Sequence, residues 1–139
     1  MNPLYKYYLV KKNVFLPDME ETHYKYKLDA SSGGVSQNEN YNTSPLVPIS
    51  DYTKVVFDDK EVIVCFYDSQ EEYISGYSGK NLDLIRPKNA VSISYCYTIK
   101  DWNSGDVSID LMYQQSRYSK MIWQKHIPKN RDRNFSVRV

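Results

Sequence analysis

The six residues Val62-Ile63-Val64-Cys65-Phe66-Tyr67 form an apolar run without a polar face. Successive side chains of a strand point to opposite sides, so such a run belongs in a sheet that is covered on both faces. Two later stretches alternate instead. Val91–Ile99 places Val91, Ile93, Tyr95, Tyr97 and Ile99 on one face, and Val107–Tyr113 places Val107, Ile109, Leu111 and Tyr113. That period of two marks half-buried strands. Thr53–Phe57 and Glu72–Ser75 are shorter candidates. Asp58-Asp59-Lys60 is short enough to close a hairpin between the strands at Val55 and Val62, and Asp68–Glu71 should join the next pair. Asn103-Ser104-Gly105-Asp106 separates the last two long strands, and no stretch from 41 to 113 has a convincing helical period. Short strands with such turns predict an antiparallel β-sandwich over residues 41–115.

The ends read differently. Tyr5, Tyr7 and Leu9 alternate within an edge strand or extended arm, and Tyr24, Tyr26 and Leu28 share one face of a second short strand. Residues 30–40, Ser-, Gly- and Asn-rich, read as loop or linker and bound an N-terminal segment of residues 1–40. Residues 118–127 fit either a strand or a short helix. The chain has 139 residues, enough for one domain with a core. Its 14 tyrosines against five glycines favour sheet and contact surfaces.

Net charge is +1, but it is unevenly placed. From residue 116 onward seven basic residues stand against Asp132 alone, a net of +6, which leaves −5 on the rest of the chain. A basic tail on an acidic body suits an acidic partner or the acidic face of a neighbouring copy, or is a solvated arm. Nucleic acid fits less well, because the body would repel phosphate and no reading motif accompanies the basic residues. No segment is apolar over a bilayer's width, and the N-terminal residues lack the layout of a signal peptide, so neither membrane nor secretion is expected. Cys65 and Cys96 each fall within a strand and read as buried or half-buried free thiols of a reducing compartment.

Catalytic chemistry is not visible. His23 and His126 have no metal-spaced partner, and there is no phosphate loop, nucleophile elbow or zinc helix. The carboxylate pairs Glu20-Glu21, Asp58-Asp59 and Glu71-Glu72 are adjacent and would point apart on a strand. Asp58, Asp59 and Asp68 offer oxygens for calcium but lack the loop spacing. The expectation is a protein without enzymatic activity, cofactor or metal.

One order of residues does carry a resemblance. Asn42-Thr43-Ser44 leads into Pro45-Leu46-Val47-Pro48-Ile49-Ser50. A strand ending at Phe57 follows, then Phe66-Tyr67-Asp68-Ser69, Tyr73-Ile74-Ser75-Gly76, and Pro87-Lys88-Asn89-Ala90 before Val91-Ser92-Ile93-Ser94. Over about half of the chain this resembles the jelly-roll modules of tailed-bacteriophage tail, fibre and other virion proteins, which are similar in build to carbohydrate-binding modules. It departs from them in the closing strand, where an aromatic-Ile-Arg is usual. The resemblance implies an all-β, antiparallel jelly-roll-like β-sandwich, here with an extended N-terminal arm and a basic C-terminal tail of residues 116–139. It also implies a virion structural protein made in the host cytoplasm, with other virion proteins and copies of itself as partners. On that reading Tyr5, Tyr7, Arg117, Lys120, Arg131 and Arg133 are candidate assembly contacts.

The alternative is a carbohydrate-binding module for a bacterial surface glycan. Trp102 between Asp101 and Asn103, with Tyr73, supplies the stacking ring and flanking polar groups that a sugar needs. The competing role for Trp102 is to plug the end of the sandwich. Likewise, the Asp68–Gly76 segment serves equally as a folding signature, its Asp closing a turn, with no ligand required.

Overall fold

The structure, a computed structural model, describes residues 6–116, with side chains described for 10–113. Contacts divide the chain into a compact unit of Val10–Met112 and a second unit of residues 1–9 and 113–139, of which only strand ends fall within the described residues.

The protein is all-β. Among the described residues ten strands form two antiparallel sheets: β1 (Lys6–Lys11), β2 (His23–Leu28), β3 (Val35–Thr43), β4 (Val47–Pro48), β5 (Lys54–Phe57), β6 (Val62–Tyr67), β7 (Tyr73–Gly79), β8 (Asp83–Ile85), β9 (Ser92–Thr98) and β10 (Ile109–Ser116), with one four-residue helix, α1 (Ile99–Trp102). One sheet has the order β1-β10-β5-β8 and the other β2-β3-β9-β6-β7, with β4 also pairing β9. Val55, Phe57, Ile109 and Leu111 of the first sheet meet Val62, Val64, Phe66, Ile93, Tyr95 and Tyr97 of the second in one core. This is the expected sandwich, with Ile93, Tyr95 and Tyr97 of β9 and Ile109 and Leu111 of β10 turned inward as expected, whereas Tyr113 is 39% exposed.

Three expectations are corrected. Asp58–Lys60 does not close a hairpin, because β5 and β6 lie in different sheets. The turn is a corner between them, fastened by Asp58, whose Oδ2 accepts from Ser108 N (2.7 Å) and Oδ1 from Lys60 N (3.1 Å). Nor are residues 30–40 a linker: β3 begins at Val35 and crosses the supposed boundary at 40, pairing β2 along one edge and β9 near its end. Finally, of the two readings of the N-terminal stretch, edge strand or extended arm, the strand holds in β1, at the edge of its sheet, and the arm does not. Asn13, with φ +46°, bends the chain so that Phe15 enters the core, and Val14 N donates to Ile109 O.

The strand at Val62–Tyr67 is covered on both faces, as its sequence requires. Val62, Val64 and Phe66 face the other sheet, while Cys65 and Tyr67 join Leu28 and Cys96 in a second, smaller cluster on the outer side. The cover there comes from the β2–β3 hairpin. β9 and the β3–β4 edge meet at a one-residue bulge, where Thr43 pairs Cys96 and Val47 pairs Ile93. Ser44 Oγ accepts from Tyr95 N (2.9 Å) and Ser94 Oγ donates to Ser44 O (2.8 Å), so the bulge leaves these backbone groups satisfied.

Two core tyrosines are treated differently. Tyr95 Oη accepts from Leu16 N (3.4 Å), whereas Tyr97 Oη, fully buried, has no hydrogen-bond partner among the described residues. Burying an unpaired hydroxyl costs about 1–3 kcal/mol. Tyr97→Phe is therefore expected to hold or raise the urea midpoint. A loss of more than about 1 kcal/mol, of the size of one net hydrogen bond, would show that the hydroxyl is satisfied.

Candidate functional site

The outer face of the six-stranded sheet carries a turn held by side-chain bonds from neighbouring strands. The turn between β2 and β3 is built by Asp29, whose Oδ1 accepts from Ser31 N (2.9 Å) and Ser31 Oγ (2.7 Å), while its carbonyl accepts from Gly33 N (2.8 Å). These bonds hold the Asp29 carboxyl below the usual carboxylate range. Gly33, with φ +76°, lets the chain reverse. The turn then lies on β6 and β7. Tyr67 Oη donates to Gly33 O (2.8 Å), Tyr73 Oη to Ala30 O (2.6 Å) and Cys65 Sγ to Asp29 O (3.5 Å). Three donors from neighbouring strands thus engage three carbonyls of one turn.

Cys65 and Cys96 lie beneath this cover, both free. The register sets Cys65 opposite Ser94 and Cys96 opposite Ile63, so the two thiols are diagonal rather than paired. Burial pushes the Cys65 thiol up to about 11 and raises Cys96 and Tyr67 as well; Tyr95 in the core is pushed up to about 12. Each folded-state value lies above the ordinary one, so the folded chain binds more protons than the unfolded one at alkaline pH. Stability is full below about pH 9, the ordinary cysteine value, and falls as pH rises toward 11–12. A flat thermal midpoint from pH 9 to 12 would contradict this.

Two small clefts flank the hairpin. One of about 340 Å³ is lined by Lys27, Asp29, Ala30, Ser36, Ile63 and Ser78. The other, about 200 Å³, includes His23, Val35, Pro45, Leu46 and Tyr67. A wider, more polar cleft of about 480 Å³ opens at the end of β6, between Asp68-Ser69-Gln70 and Lys88-Asn89 with Val91. Both of its walls are pinned. Asp68 Oδ1 accepts from Gln70 N and Glu72 N, each at 2.9 Å. Across from it Val91 N donates to Tyr67 O (2.9 Å), and Arg86 bonds Ala90 O (2.9 Å) and Tyr52 O (2.7 Å). The exposed Ser69, Gln70, Lys88 and Asn89 offer hydrogen bonds and one positive charge to a polar ligand.

The residues expected to form a glycan site are not brought together. Trp102 is 1% exposed and lies in the core against Phe15 (5.0 Å between centroids) and Tyr95 (5.9 Å), with Nε1 donating to Pro17 O (2.8 Å). No ring face is left for a sugar, which corrects that assignment; the plug is its position. Thr98 caps α1, its Oγ1 accepting from Asp101 N (3.2 Å), and so turns Trp102 inward. Asp101 is half-buried on that helix and Asn103 is exposed at its end. Tyr73 belongs to the opposite, outer face and is engaged by Ala30. Of the candidate assembly contacts, Tyr5, Arg117, Lys120, Arg131 and Arg133 lie outside the described residues, and Tyr7 is described only as part of β1.

The sequence placed Gly76 at the end of a folding signature, but did not reveal the Ala30 turn that it receives. The signal was indirect: an apolar strand without a polar face demands a cover, and a lone glycine in Tyr-Ile-Ser-Gly-Tyr permits a close approach. Among the described residues no group of three or more His, Cys, Asp or Glu is placed to hold a metal ion, and no helix is long and apolar enough to cross a membrane. Comparison with protein-family models, with curated proteins and with solved structures found no match to the chain.

Proposed function

We propose that this chain is a structural component of a tailed-bacteriophage virion, using its sandwich as a platform for assembly or attachment. The observation that carries the reading is the convergence of its two most specific segments. Phe66–Gly76 and Pro87–Ala90, which resemble the phage modules, are joined by the Val91 N to Tyr67 O bond and form opposite walls of the polar cleft. The −5 body and +6 tail add a second support, since opposite charges on two parts of one chain favour contacts between copies. Other virion proteins and further copies of the chain are the partners, and the virion is where the protein ends up. Mass spectrometry of purified particles, with antibody labelling under the electron microscope, tests this. The chain is expected in stoichiometric amount at one location; its absence from clean particles would reject the proposal.

The polar cleft favours a second reading, attachment to a bacterial surface glycan. Sugar hydroxyls would bond Gln70, Lys88 and Asn89, without Trp102. A glycan-array signal reduced at least tenfold by Lys88→Ala with Asn89→Ala, in a protein that melts like the parent, is the expected result. A blank array removes this reading.

A further inference from the structure

Cys65 and Cys96 are the only cysteines of the chain, and the fold brings both to the outer face of the six-stranded sheet. In the β6–β9 ladder Cys65 pairs Ser94 and Ile63 pairs Cys96, so the two thiols stand on one diagonal. That spacing decides what they can share. Diagonal neighbours are about 7–8 Å apart, somewhat less between Cβ atoms, whereas a disulfide needs Cβ atoms within about 3.5–4.5 Å. An ion held linearly between the sulfurs inserts two metal–sulfur bonds of about 2.3 Å each, which fills the difference. The donors around the sulfurs also suit a thiolate. The Tyr67 hydroxyl and Gly33 N–H favour negative charge on Cys65, as the Thr43 hydroxyl and Leu28 N–H do on Cys96. Lys27 adds to this at Cys96, and Asp29 opposes it at Cys65. Against a proton, burial outweighs these donors, but a coordinated soft metal removes the proton outright.

We infer that Cys65 and Cys96 form a two-coordinate site for a soft monovalent ion, copper(I), held as a bis-thiolate beneath the β2–β3 turn. The inference is independent of the assembly reading. Thiolate is the ligand type that selects copper(I) over harder ions. A structural zinc site asks for four ligands, and among the described residues no third His, Cys, Asp or Glu joins the pair. Binding exchanges two S–H protons for one singly charged ion, so the site gains one net negative charge and no electron moves. The two hydroxyls and two N–H groups around the sulfurs are placed to hold that charge, the hydroxyl hydrogens turning toward it. An entry path exists on either side of the hairpin. One small cleft is lined by Ile63, which pairs Cys96, the other by Ser94, which pairs Cys65, and Leu28 lines both. Local opening of the turn between them admits the ion.

Anaerobic titration of the reduced full chain with copper(I), against a chromophoric chelator, tests the site, with circular dichroism as the check on folding. One ion per chain is expected, with a thiolate-to-copper absorption band and a higher thermal midpoint. Cys65→Ser and Cys96→Ser should each weaken binding about a hundredfold or more, since each leaves one sulfur where two acted together. About a hundredfold excess of zinc should leave the copper in place. X-ray absorption at the copper edge of the parent, which needs no variant to fold, should show two sulfur neighbours. A folded parent that leaves all the copper with the chelator overturns the inference. So does a folded single variant with the parent's affinity, displacement by zinc, or a copper shell containing nitrogen or a third ligand.

Discussion

Gly76→Ala should release the β2–β3 hairpin from the sheet and make both cysteines of the chain reactive. A Cβ at Gly76 would lie inside contact distance of the Ala30 carbonyl oxygen and 2.9 Å from Ala30 Cα. These are backbone atoms, so no side-chain rotation relieves the overlap. Forcing even one methyl group into a filled site costs about 1–3 kcal/mol. Moving the turn away instead forfeits the bonds from Tyr67, Tyr73 and Cys65, at about 1 kcal/mol each. Either way the cover over Cys65 and Cys96 opens more often. In the parent these residues are 0% and 1% exposed, and burial keeps the Cys65 thiol protonated at neutral pH. The parent should therefore react with a thiol reagent only through rare opening, and the variant on the order of 10–100-fold faster. The sandwich core beneath is separate from this cluster, so near-ultraviolet dichroism of the core aromatics should persist. Gly34→Ala is the control, because a Cβ there meets only Ser32 Oγ at 3.5 Å. Equal thiol reactivity in the Gly76 variant and the parent would mean that the turn does not rest where it is placed.

That result would also explain why half of the fold was legible and half was not. The apolar run of β6 required two covers, and the alternation of β9 and β10 named the face turned to one of them. Alternation alone left the other face of β9, with Ser92, Ser94 and Cys96, as its polar side. Yet these are 8%, 5% and 1% exposed. The reason is tertiary: small side chains admit a second layer, supplied by Leu28, Tyr41 and Leu46 around Cys96 and by Ser44 at Ser94. β3 is mostly exposed along its first six residues, so nothing selects apolar side chains there and the period-two signal is missing. Alternation in β2 fails for a related reason. Lys25, at φ +64° beside a register shift, breaks the strand, leaving Tyr24 and Tyr26 exposed while Leu28 is buried.

Sheet membership was equally hidden at Asp58–Lys60. Three polar residues close a hairpin or turn a corner with the same composition. The difference is made by the distant Ser108 and Asn81, whose N–H groups bond Asp58. The candidate site followed the same logic. Asp101-Trp102-Asn103 looks like a sugar-stacking loop only while the chain is read locally. The cap from Thr98 and the arrival of Phe15 and Pro17, some 85 residues away in sequence, turn the indole into core.

Trp102→Ala is accordingly expected to be among the most destabilising single changes in the described residues. The indole joins Phe15 and Tyr95 in an aromatic cluster that also holds Tyr97, and its Nε1 ties Pro17 to α1. Truncating a buried tryptophan of this kind costs about 3–5 kcal/mol, a large part of the 5–15 kcal/mol that holds a domain folded. The Pro17 carbonyl loses its donor in addition. Trp102→Phe keeps an aromatic body but not the N–H, so its cost should be nearer 1–2 kcal/mol. Urea denaturation of the three proteins gives the ranking directly, the alanine variant lowest and the phenylalanine variant between. The pair also separates packing from recognition. If a glycan is bound at the Lys88–Asn89 cleft, the folded phenylalanine variant binds it as the parent does. Parent-like stability in Trp102→Ala would instead return the indole to the surface, and with it the stacking role that its burial denies.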